Sequence, residues 1–321
     1  MSTSEFELID RYFRRAGARR DDVAIGIGDD GAVLRPRPDH DLVVVTDTIV
    51  AGVHFPSTMT AADIGYRALA VNLSDLAAMG AEPAWCSLAL TLPQADEEWL
   101  QGFAAGLLEL AERFEVQLVG GDTTRGPLTV TVTAHGWVPA GGALRRAGAG
   151  AGDGVYASGT LGDAAGGLRA LMGMTVCDAD SRTALTRRFL RPEPRVALGQ
   201  FLRGVASSAI DVSDGLAADL MHVLEASGVG AEVHLDRLPI SASLRACERG
   251  DAAIERALRG GDDYELCFTV PPARESALRQ WRPDDGVTLT RIGTVVACPG
   301  LRFVNADGVV VDRHISGYAH F

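Results

Sequence analysis

Hydrophobic and polar residues follow two periods along the chain, and the alternation predicts a mixture of strands and helices. Residues 42–46 form a short apolar run typical of a buried strand. A strand is also predicted over 116–119, and 128–138 alternates with period two, which predicts another. Apolar residues at helical spacing predict helices over 61–79, ended by Gly80, and over 96–114, whose first turn is acidic.

The second half of the sequence shows the same mixture. Strands are predicted over 155–158, 209–212, 231–235, 264–270 and 287–294, and helices over 216–226 and 273–281. Residues 305–308 have the composition of a hairpin turn. The pattern predicts a mixed fold, α+β or α/β, in two domains of similar size. The glycine-rich stretch 147–154 is the predicted junction, which gives domains 1–146 and 147–321.

Composition narrows the function. A chain of 321 residues is long enough for two domains. Its net charge of -12 argues against nucleic acid or anionic membrane as the main partner, since both require a basic face. All 30 basic residues are arginines, and lysine is absent. This excludes a Walker-A site, the strand lysine of protein kinases and Schiff-base chemistry.

The cysteines and the N-terminal sequence indicate a cytoplasmic protein. Five cysteines make an odd count without a C-x-x-C pair, which is typical of a reducing compartment and argues against zinc. Acids lie near the N-terminus, where a signal peptide needs an apolar core. The uncharged stretch 126–144 alternates with period two and is interrupted by proline and glycine, so it is predicted to be a strand and its exit.

Aspartates recur where a predicted strand passes into a loop. Each cluster alone is typical of a turn, because aspartate bonds its own backbone and glycine accepts positive φ. Five such clusters, nearly all beside an apolar strand, favour a shared chemical role. They are Gly28-Asp29-Asp30-Gly31, Thr46-Asp47-Thr48, Gly120-Gly121-Asp122-Thr123-Thr124, Asp211-Val212-Ser213-Asp214-Gly215 and Gly260-Gly261-Asp262-Asp263-Tyr264.

Asp75 is the most informative of the acids. It lies in the predicted helix 61–79, in line with Ile64, Ala68 and Val71, and the rest of that helix is almost wholly apolar. A buried carboxylate is costly unless it is paired or bound to metal. A bridge to Arg67 is the structural alternative, but helical spacing turns Arg67 away, so a metal-binding role is favoured.

The combined donor set suits Mg²⁺. Carboxylate and hydroxyl oxygens are hard ligands that prefer Mg²⁺ or Mn²⁺ to zinc or copper. An EF-hand is excluded at Asp211, because His222 occupies the twelfth position of such a loop. Several Mg²⁺ sites without a nucleophile motif predict phosphoryl transfer, in which positioning and charge neutralisation do most of the catalysis.

Three further candidates carry weaker signals. The loop 159–167 follows a strand and could hold phosphate on its amides, although it fits neither a Rossmann nor a Walker pattern. Arg145 and Arg146 could clamp phosphate or form a solvated pair. His54 follows the Thr46-Asp47 cluster closely enough to share its site, but a lone histidine is more often structural.

Read in order, these motifs resemble the thiamine-monophosphate kinases over nearly the whole chain. The most specific motif is Asn72-Leu73-Ser74-Asp75-Leu76-Ala77-Ala78-Met79-Gly80. The resemblance implies ATP-dependent phosphorylation of thiamine monophosphate to thiamine diphosphate. It also implies the two-domain fold of the aminoimidazole-ribonucleotide-synthetase superfamily. There the N-terminal domain forms a β-barrel across a homodimer, and the active site lies between the domains.

The resemblance also implies roles for individual residues. Ser213, Gly121, Asp122 and Arg146 would contact ATP. The family usually has glutamate at the position of Asp262, so Asp263 is a second candidate for the substrate contact. The implied substrate contacts are His54, Asp262 and Tyr318, and the implied Mg²⁺ ligands are Asp30, Thr46, Asp47, Asp75, Asp122, Asp211 and Asp214, of which Asp30, Asp47, Asp75, Asp122 and Asp211 would be catalytic.

The acceptor's chemistry favours direct in-line transfer. A phosphate monoester with a second pKa of about 6 is largely dianionic at neutral pH and needs no general base. Rival readings are another ATP-using enzyme of the superfamily, or a non-catalytic sensor of Mg²⁺ or nucleotide. The other superfamily enzymes differ from this chain. Selenophosphate synthetase typically has an N-terminal cysteine or selenocysteine and a lysine, and the hydrogenase-maturation dehydratase ends in a reactive cysteine. The purine enzymes lack the 72–80 motif.

Overall fold

A computed structural model describes residues 5–14, 17–282 and 286–313. The chain divides into two compact units. One takes the residues up to Leu76 together with Ala81–Gly141, and the other takes Ala77–Gly80 with the residues from Gly142 onward. Both units mix helices and strands, so the predicted mixed architecture is confirmed.

The first unit is built on a four-stranded sheet. Its elements are α1 (Glu5–Tyr12), β1 (Val23–Ile25), β2 (Val33–Leu34), β3 (His40–Val50), α2 (Ala61–Ala78), β4 (Glu82–Leu92), α3 (Glu97–Arg113), β5 (Gln117–Arg125) and β6 (Thr129–Pro139). The strand order is β3-β6-β4-β5, and β1 pairs with β2 separately. Strands β4 and β5 are parallel because α3 connects them, and the other pairs are antiparallel.

Helices α2 and α3 form where the apolar periodicity predicts them. The Asp96 side chain accepts a hydrogen bond at 3.0 Å from the Trp99 N–H and so caps the start of α3. Every residue from Ile64 to Ser74 in α2 is buried. The two helices approach closely at Gly106, where an added Cβ would lie 1.8 Å from the Ala62 carbonyl oxygen.

Strand β4 is absent from the sequence-based prediction. Pro83 at its second position reads as a signal that ends α2, because proline is disfavoured inside sheets. In the structure Pro83 lies at the start of the strand, where β4 pairs with β6 opposite Gly136. Strand β3 also extends beyond the predicted 42–46, since Thr46, Asp47 and Thr48 continue the same ladder with β6.

The second unit is built on a seven-stranded sheet of order β13-β12-β9-β11-β7-β10-β8. Its elements are β7 (Gly154–Ser158), α4 (Asp163–Leu171), α5 (Ala179–Leu190), α6 (Val196–Leu202), β8 (Ser208–Asp211), α7 (Leu216–Ser227), β9 (Gly230–His234), α8 (Ala242–Cys247), α9 (Asp251–Arg259), β10 (Leu266–Val270), β11 (Leu289–Val296), β12 (Gly300–Val304) and β13 (Val310–Val311). Buried aliphatic residues of the strands and of α7 form its core.

Several elements of this unit differ from the prediction. Helices α5, α6, α8 and α9 are not foreseen, and Pro272–Gln280 is 3₁₀ rather than α-helical. The predicted turn at 305–308 is confirmed, since the Gly308 N–H bonds the Asn305 carbonyl and Val309 pairs back to Asn305. The omitted helices have only 6 to 12 residues, and so few turns give little periodic signal.

Cys177 and Cys247 are joined by a disulfide that spans 70 residues of sequence. The expectation of a reducing compartment, drawn from the odd cysteine count, does not account for this pair, because disulfides are rare in the cytosol. Cys86 and Cys267 are buried free thiols and Cys298 is an exposed one.

The uncharged stretch 126–144 is confirmed as strand β6 and the segment that follows it. Within the described ranges, no helix combines the length and the apolar character that crossing a membrane requires.

Candidate active site

A cavity of about 1150 Å³ in the first unit brings two of the predicted aspartates together. Asp30, in the loop after β1, and Asp122, in β5, both line it and both are exposed. The end of α1 contributes Arg11 and Arg14 to the same cavity. Acids and arginines therefore face one space that is large enough for a nucleotide.

Gly121 gives the cavity its shape on the β5 side. Its φ is +153°, and an added Cβ would lie 1.8 Å from the Leu88 carbonyl oxygen of β4. Gly120 has no heavy atom within 4 Å of the corresponding position. Only the second glycine of the Gly120-Gly121-Asp122 motif is therefore required by close approach of backbone.

Strand β3 separates the side chains of the Thr46-Asp47 pair. The Thr46 hydroxyl lies on the exposed face and donates to the Thr133 hydroxyl at 3.0 Å. Asp47 lies on the more buried face, and its N–H donates to Asn72 Oδ1 of α2 at 3.1 Å. Since successive strand side chains alternate, the carboxylate and the hydroxyl of this motif point in opposite directions.

Asp75 is the partly exposed position of a helix that is buried on either side of it. Ser74 and Leu76 are both fully buried, whereas Asp75 is intermediate. Arg67, the alternative partner on the same helix, is 1% exposed. Helix α2 is therefore buried nearly all round, as predicted, and Asp75 is partly exposed.

His54 lies in the turn that follows β3, and its own backbone holds its ring. Nδ1 accepts a hydrogen bond from the Val50 N–H at 3.0 Å. The Nε2 nitrogen then carries the ring proton. The bond supplies the structural role that the sequence alone allows, and it also fixes the ring beside the Thr46-Asp47 strand.

In the second unit, the Asp211–Gly215 loop is held by a residue that is not among the predicted site residues. Asp219, 2% exposed in the first turn of α7, accepts hydrogen bonds from the N–H groups of Ser213, Asp214 and Gly215. Burial, and then the charges of Asp211 and Asp214, raise the pKa of Asp219 to about 7. An acid in the first turn of a helix is the signal that the sequence offers for it.

The Gly260–Tyr264 segment lies against the same loop. The Asp262 N–H donates to the Ser213 carbonyl at 2.8 Å, and the Tyr264 N–H donates to the Val212 carbonyl at 2.9 Å. Asp262 and Tyr264 both have positive φ, +73° and +51°. Positive φ is uncommon for residues other than glycine, and it tends to persist where surrounding structure enforces it, often at functional sites.

Asp262 and Asp263 have different environments. Asp263 is 1% exposed, and its two oxygens accept from the N–H groups of Gly162 at 2.5 Å and Ala164 at 3.1 Å. Burial raises the pKa of Asp263 well above its ordinary value. Asp262 is only partly buried. Geometry therefore favours Asp262 over Asp263 as the group that contacts a substrate.

The same bonds overturn the prediction that loop 159–167 holds phosphate on its amides. The N–H groups of Gly162 and Ala164, at the start of α4, already bind the Asp263 carboxylate. A carboxylate of the protein fills the anion-binding position of this helix terminus. Arg145 and Arg146 are exposed, as either of their predicted roles allows. Tyr318 lies outside the described residues.

Glu265 anchors the far side of the segment. It is fully buried and accepts from Arg188 at 2.6 Å, from Arg195 at 2.5 and 2.7 Å, and from Ser158 at 2.5 Å. Burial acts to raise the Glu265 pKa, but the charges of Arg188 and Arg195 outweigh it and lower the pKa. No local sequence pattern predicts this network, because the partners of Glu265 lie 70 to 107 residues away from it in the sequence.

The donor chemistry fits Mg²⁺. In the part of the chain that the structure describes, no three or more histidine, cysteine, aspartate or glutamate side chains form a metal-binding group. Mg²⁺ is usually held by one or two carboxylates, with water and substrate phosphates completing its shell. The predicted ligands supply carboxylate and hydroxyl oxygens, so they suit an ion that a nucleotide helps to bind.

Two family models match the chain. The model described as AIR synthase related protein, N-terminal domain, matches residues 28–138, and the corresponding C-terminal domain matches residues 150–304. The two matches together cover most of the sequence.

The whole chain is also similar to proteins of one activity. It is 51% identical over 324 residues to the thiamine-monophosphate kinase of Salmonella typhimurium, covering 100% of this chain and 99% of that one. The solved structure of thiamine-monophosphate kinase from Stenotrophomonas maltophilia is 50% identical, with a TM-score of 0.87 and coverage of 97% and 99%. AaThiL complexed with AMPPCP and TMP is 33% identical, with a TM-score of 0.79 and 92% coverage of both chains.

Proposed function

We propose that this chain, which belongs to the thiamine-monophosphate kinase family, phosphorylates thiamine monophosphate to thiamine diphosphate with ATP as the donor. Identity of 51% over the full length of a kinase with this activity carries the proposal. A related protein of the same fold has been solved with AMPPCP and TMP together, which agrees with an ATP donor and a monophosphate acceptor. The resemblance predicted from the aspartate motifs is thereby confirmed.

The aspartates would hold several Mg²⁺ ions. In the first unit the proposed ligands are Asp30, Thr46, Asp47, Asp75 and Asp122, and in the second they are Asp211 and Asp214. The hydroxyl of Thr46 lies on the opposite face of β3 from the Asp47 carboxylate, so it is the ligand that the geometry supports least. Bound Mg²⁺ would neutralise charge on the donor and acceptor phosphates. The carboxylate of Asp75 is partly exposed on a helix that is otherwise mostly buried, which agrees with this role.

Nucleotide and acceptor contacts are assigned to separate groups of residues. The proposed ATP contacts are Gly121, Asp122, Arg146 and Ser213, and the proposed thiamine monophosphate contacts are His54, Asp262 and Tyr318. Gly121 and Asp122 line the cavity of the first unit, and the absence of a Cβ at Gly121 lets the Leu88 backbone of β4 approach it closely. The partial exposure of Asp262 supports it over Asp263.

The chain needs to position the acceptor rather than deprotonate it. With a second pKa of about 6, the acceptor phosphate is largely dianionic at neutral pH and is itself the nucleophile. The proposal is therefore direct in-line transfer without a phosphorylated protein. Inversion of configuration at a chiral γ-phosphorus is expected, and retention would contradict it.

The first unit is proposed to form a homodimer through the open face of its sheet, as a barrel shared between two copies. Leu42 is 45% and Val44 54% exposed on this face of β3, and apolar side chains in such a row are typical of an interface. A monomeric mass by light scattering would rule the dimer out.

Two further assignments are proposals as well. Domains of 1–146 and 147–321 are proposed as the functional division of the chain. A cytoplasmic location is proposed, although the Cys177–Cys247 disulfide belongs to a class that is rare in the cytosol, and cell fractionation that recovers the protein elsewhere would refute it.

A non-catalytic sensor of Mg²⁺ or nucleotide is the alternative from another class, and a different ATP-using enzyme of the superfamily is the alternative within it. The test supplies ATP and Mg²⁺ with either thiamine monophosphate or thiamine as the acceptor. The proposal predicts thiamine diphosphate from the monophosphate only. Nucleotide binding without any product would favour the sensor.

A further inference from the structure

One carboxylate oxygen of Asp219 accepts three consecutive backbone N–H groups. The distances from Oδ2 to the nitrogens of Ser213, Asp214 and Gly215 are 3.0, 3.0 and 3.1 Å. Asp219 therefore fixes the backbone of the whole segment that leads from Asp211 into α7.

A helix-capping role explains only part of this arrangement. In a capping box, an acid in the first turn reaches back to the N–H of the cap residue, which here is Gly215. Asp219 also holds Asp214 and Ser213, which lie outside the helix. These two additional bonds fall on residues already assigned to Mg²⁺ and to ATP.

Burial makes these bonds difficult to replace. Asp219 is 2% exposed, so water cannot easily take the place of its carboxylate. Removing the carboxylate would therefore leave the N–H groups of Ser213 and Asp214 without their acceptor.

We propose that Asp219 is a positioning residue, which holds the Ser213–Gly215 backbone so that Asp214 and Ser213 meet Mg²⁺ and nucleotide in a fixed geometry. This inference rests on the proposed function. Groups that orient metal ligands typically contribute 10–100-fold in metal affinity, so the effect should be measurable as a metal requirement.

The experiment compares Asp219→Ala and Asp219→Asn with Asp163→Asn. Asp163 is a matched control because it is also buried, 4% exposed, but accepts from the hydroxyls of Thr160 and Ser241. Mn²⁺ binding by each purified protein, without acceptor, is measured by electron paramagnetic resonance. Hydrogen exchange of the 213–215 amides is measured in parallel.

Asp219→Ala is expected to weaken Mn²⁺ binding by about 10–100-fold and to expose the 213–215 amides to exchange. Asp219→Asn keeps an acceptor oxygen, so it should protect the amides better and lose less affinity. Asp163→Asn should leave both readouts at the wild-type level. If Asp219→Ala does not fold, Asp219→Asn with wild-type Mn²⁺ affinity overturns the inference.

Mn²⁺ binding within about twofold of wild type in both Asp219 variants, or equal losses in Asp163→Asn, would also overturn it. Because these readouts do not require product formation, they separate this inference from the proposed reaction. Wild-type protein that binds Mn²⁺ but makes no thiamine diphosphate would count against the reaction alone.

Discussion

Asn72 Oδ1 accepts a hydrogen bond from the Asp47 N–H at 3.1 Å, which ties helix α2 to the edge strand β3. Asn72 is fully buried, and its Nδ2 donates to the Ala68 carbonyl at 3.0 Å, so the amide is held from both sides. Asn72 and Asp75 are neighbours on the helix surface at i, i+3 spacing. The bond therefore fixes the relation between the strand and the helical turn that carry two proposed Mg²⁺ ligands.

Replacing Asp75 by asparagine removes one of these carboxylates without changing its size. Turnover of thiamine monophosphate should fall at least ~100-fold, because a displaced or missing ion costs both positioning and charge neutralisation. Thermal unfolding should be nearly unchanged. Asp63→Asn, earlier on the same helix and bonded to Thr60, is the control and should keep near-normal turnover. Near-normal turnover in Asp75→Asn would refute the metal assignment.

Gly121→Ala should disturb the pairing of β4 and β5 where both strands line the cavity. The added Cβ would fall 1.8 Å from the Leu88 carbonyl oxygen, at a φ that alanine rarely adopts. We expect a loss of about 2–4 kcal/mol in the free energy of unfolding, measured by denaturant titration, together with weaker ATP binding. Gly120→Ala is the neighbouring control, and it should stay within ~0.5 kcal/mol of wild type. Equal behaviour of the two variants would contradict the geometry.

Substitution should distinguish the role of Asp262 from that of Asp263. Asp262→Asn should raise the KM for thiamine monophosphate about tenfold with little change in stability, because the proposed contact lies on a part-exposed side chain. Asp263→Asn should lose about 1–3 kcal/mol of stability, since an amide nitrogen would face a buried N–H donor. Kinetics and thermal unfolding of both variants measure the difference. A raised KM in the Asp263 variant alone would reverse the assignment.

Glu265→Gln should be among the most destabilising single changes in the second unit. It leaves the buried guanidinium of Arg195 and the part-buried guanidinium of Arg188 without their shared carboxylate, at a cost of about 3–5 kcal/mol. Glu248→Gln is the control, because Glu248 also joins two arginines, Arg169 and Arg256, but these are about a third exposed. Its cost should be about 1 kcal/mol at most.

The Glu265 effect should depend on pH with a defined sign. The folded-state pKa of Glu265 is lowered from its ordinary 4.5, so its stabilisation is fully present above pH 4.5. As the pH falls below 4.5 towards the folded-state pKa, the carboxylate is protonated and the stabilisation is lost. The stability difference between wild type and Glu265→Gln should therefore shrink in acid. A difference that grows in acid would contradict the lowered pKa.

Local signals in the sequence predict the long elements well. Asp96 and Gly80 mark the start of α3 and the end of α2, because a side-chain cap and a positive φ of +68° are local requirements. The Asn72–Gly80 wording identifies the family. Strand β4 was missed because Pro83 gives the opposite local signal, and its place at the strand's start is set by pairing with β6.

The support of the candidate site is largely invisible in the sequence. The sequence offers Asp263 as a second candidate for the substrate contact, yet its carboxylate bonds the Gly162 N–H from 101 residues away. No local pattern indicates the role of Glu265, which is bound by arginines 77 and 70 residues earlier. Such contacts depend on strand order in the sheet, which periodicity does not specify. The opposite directions of Thr46 and Asp47 follow from the β3–β6 ladder, which continues through both residues. The predicted strand ends at residue 46, so the sequence does not place Asp47 in it.

The most direct test of phosphoryl transfer is a single-turnover experiment with ATP labelled at the γ-phosphorus. Purified protein in excess over ATP is mixed with Mg²⁺ and thiamine monophosphate and quenched at successive times. The label is predicted to move from ATP into thiamine diphosphate, in step with ADP and without passing through the protein. Label that appears only as inorganic phosphate, remains in ATP, or becomes covalently attached to the protein before the product forms would contradict the account.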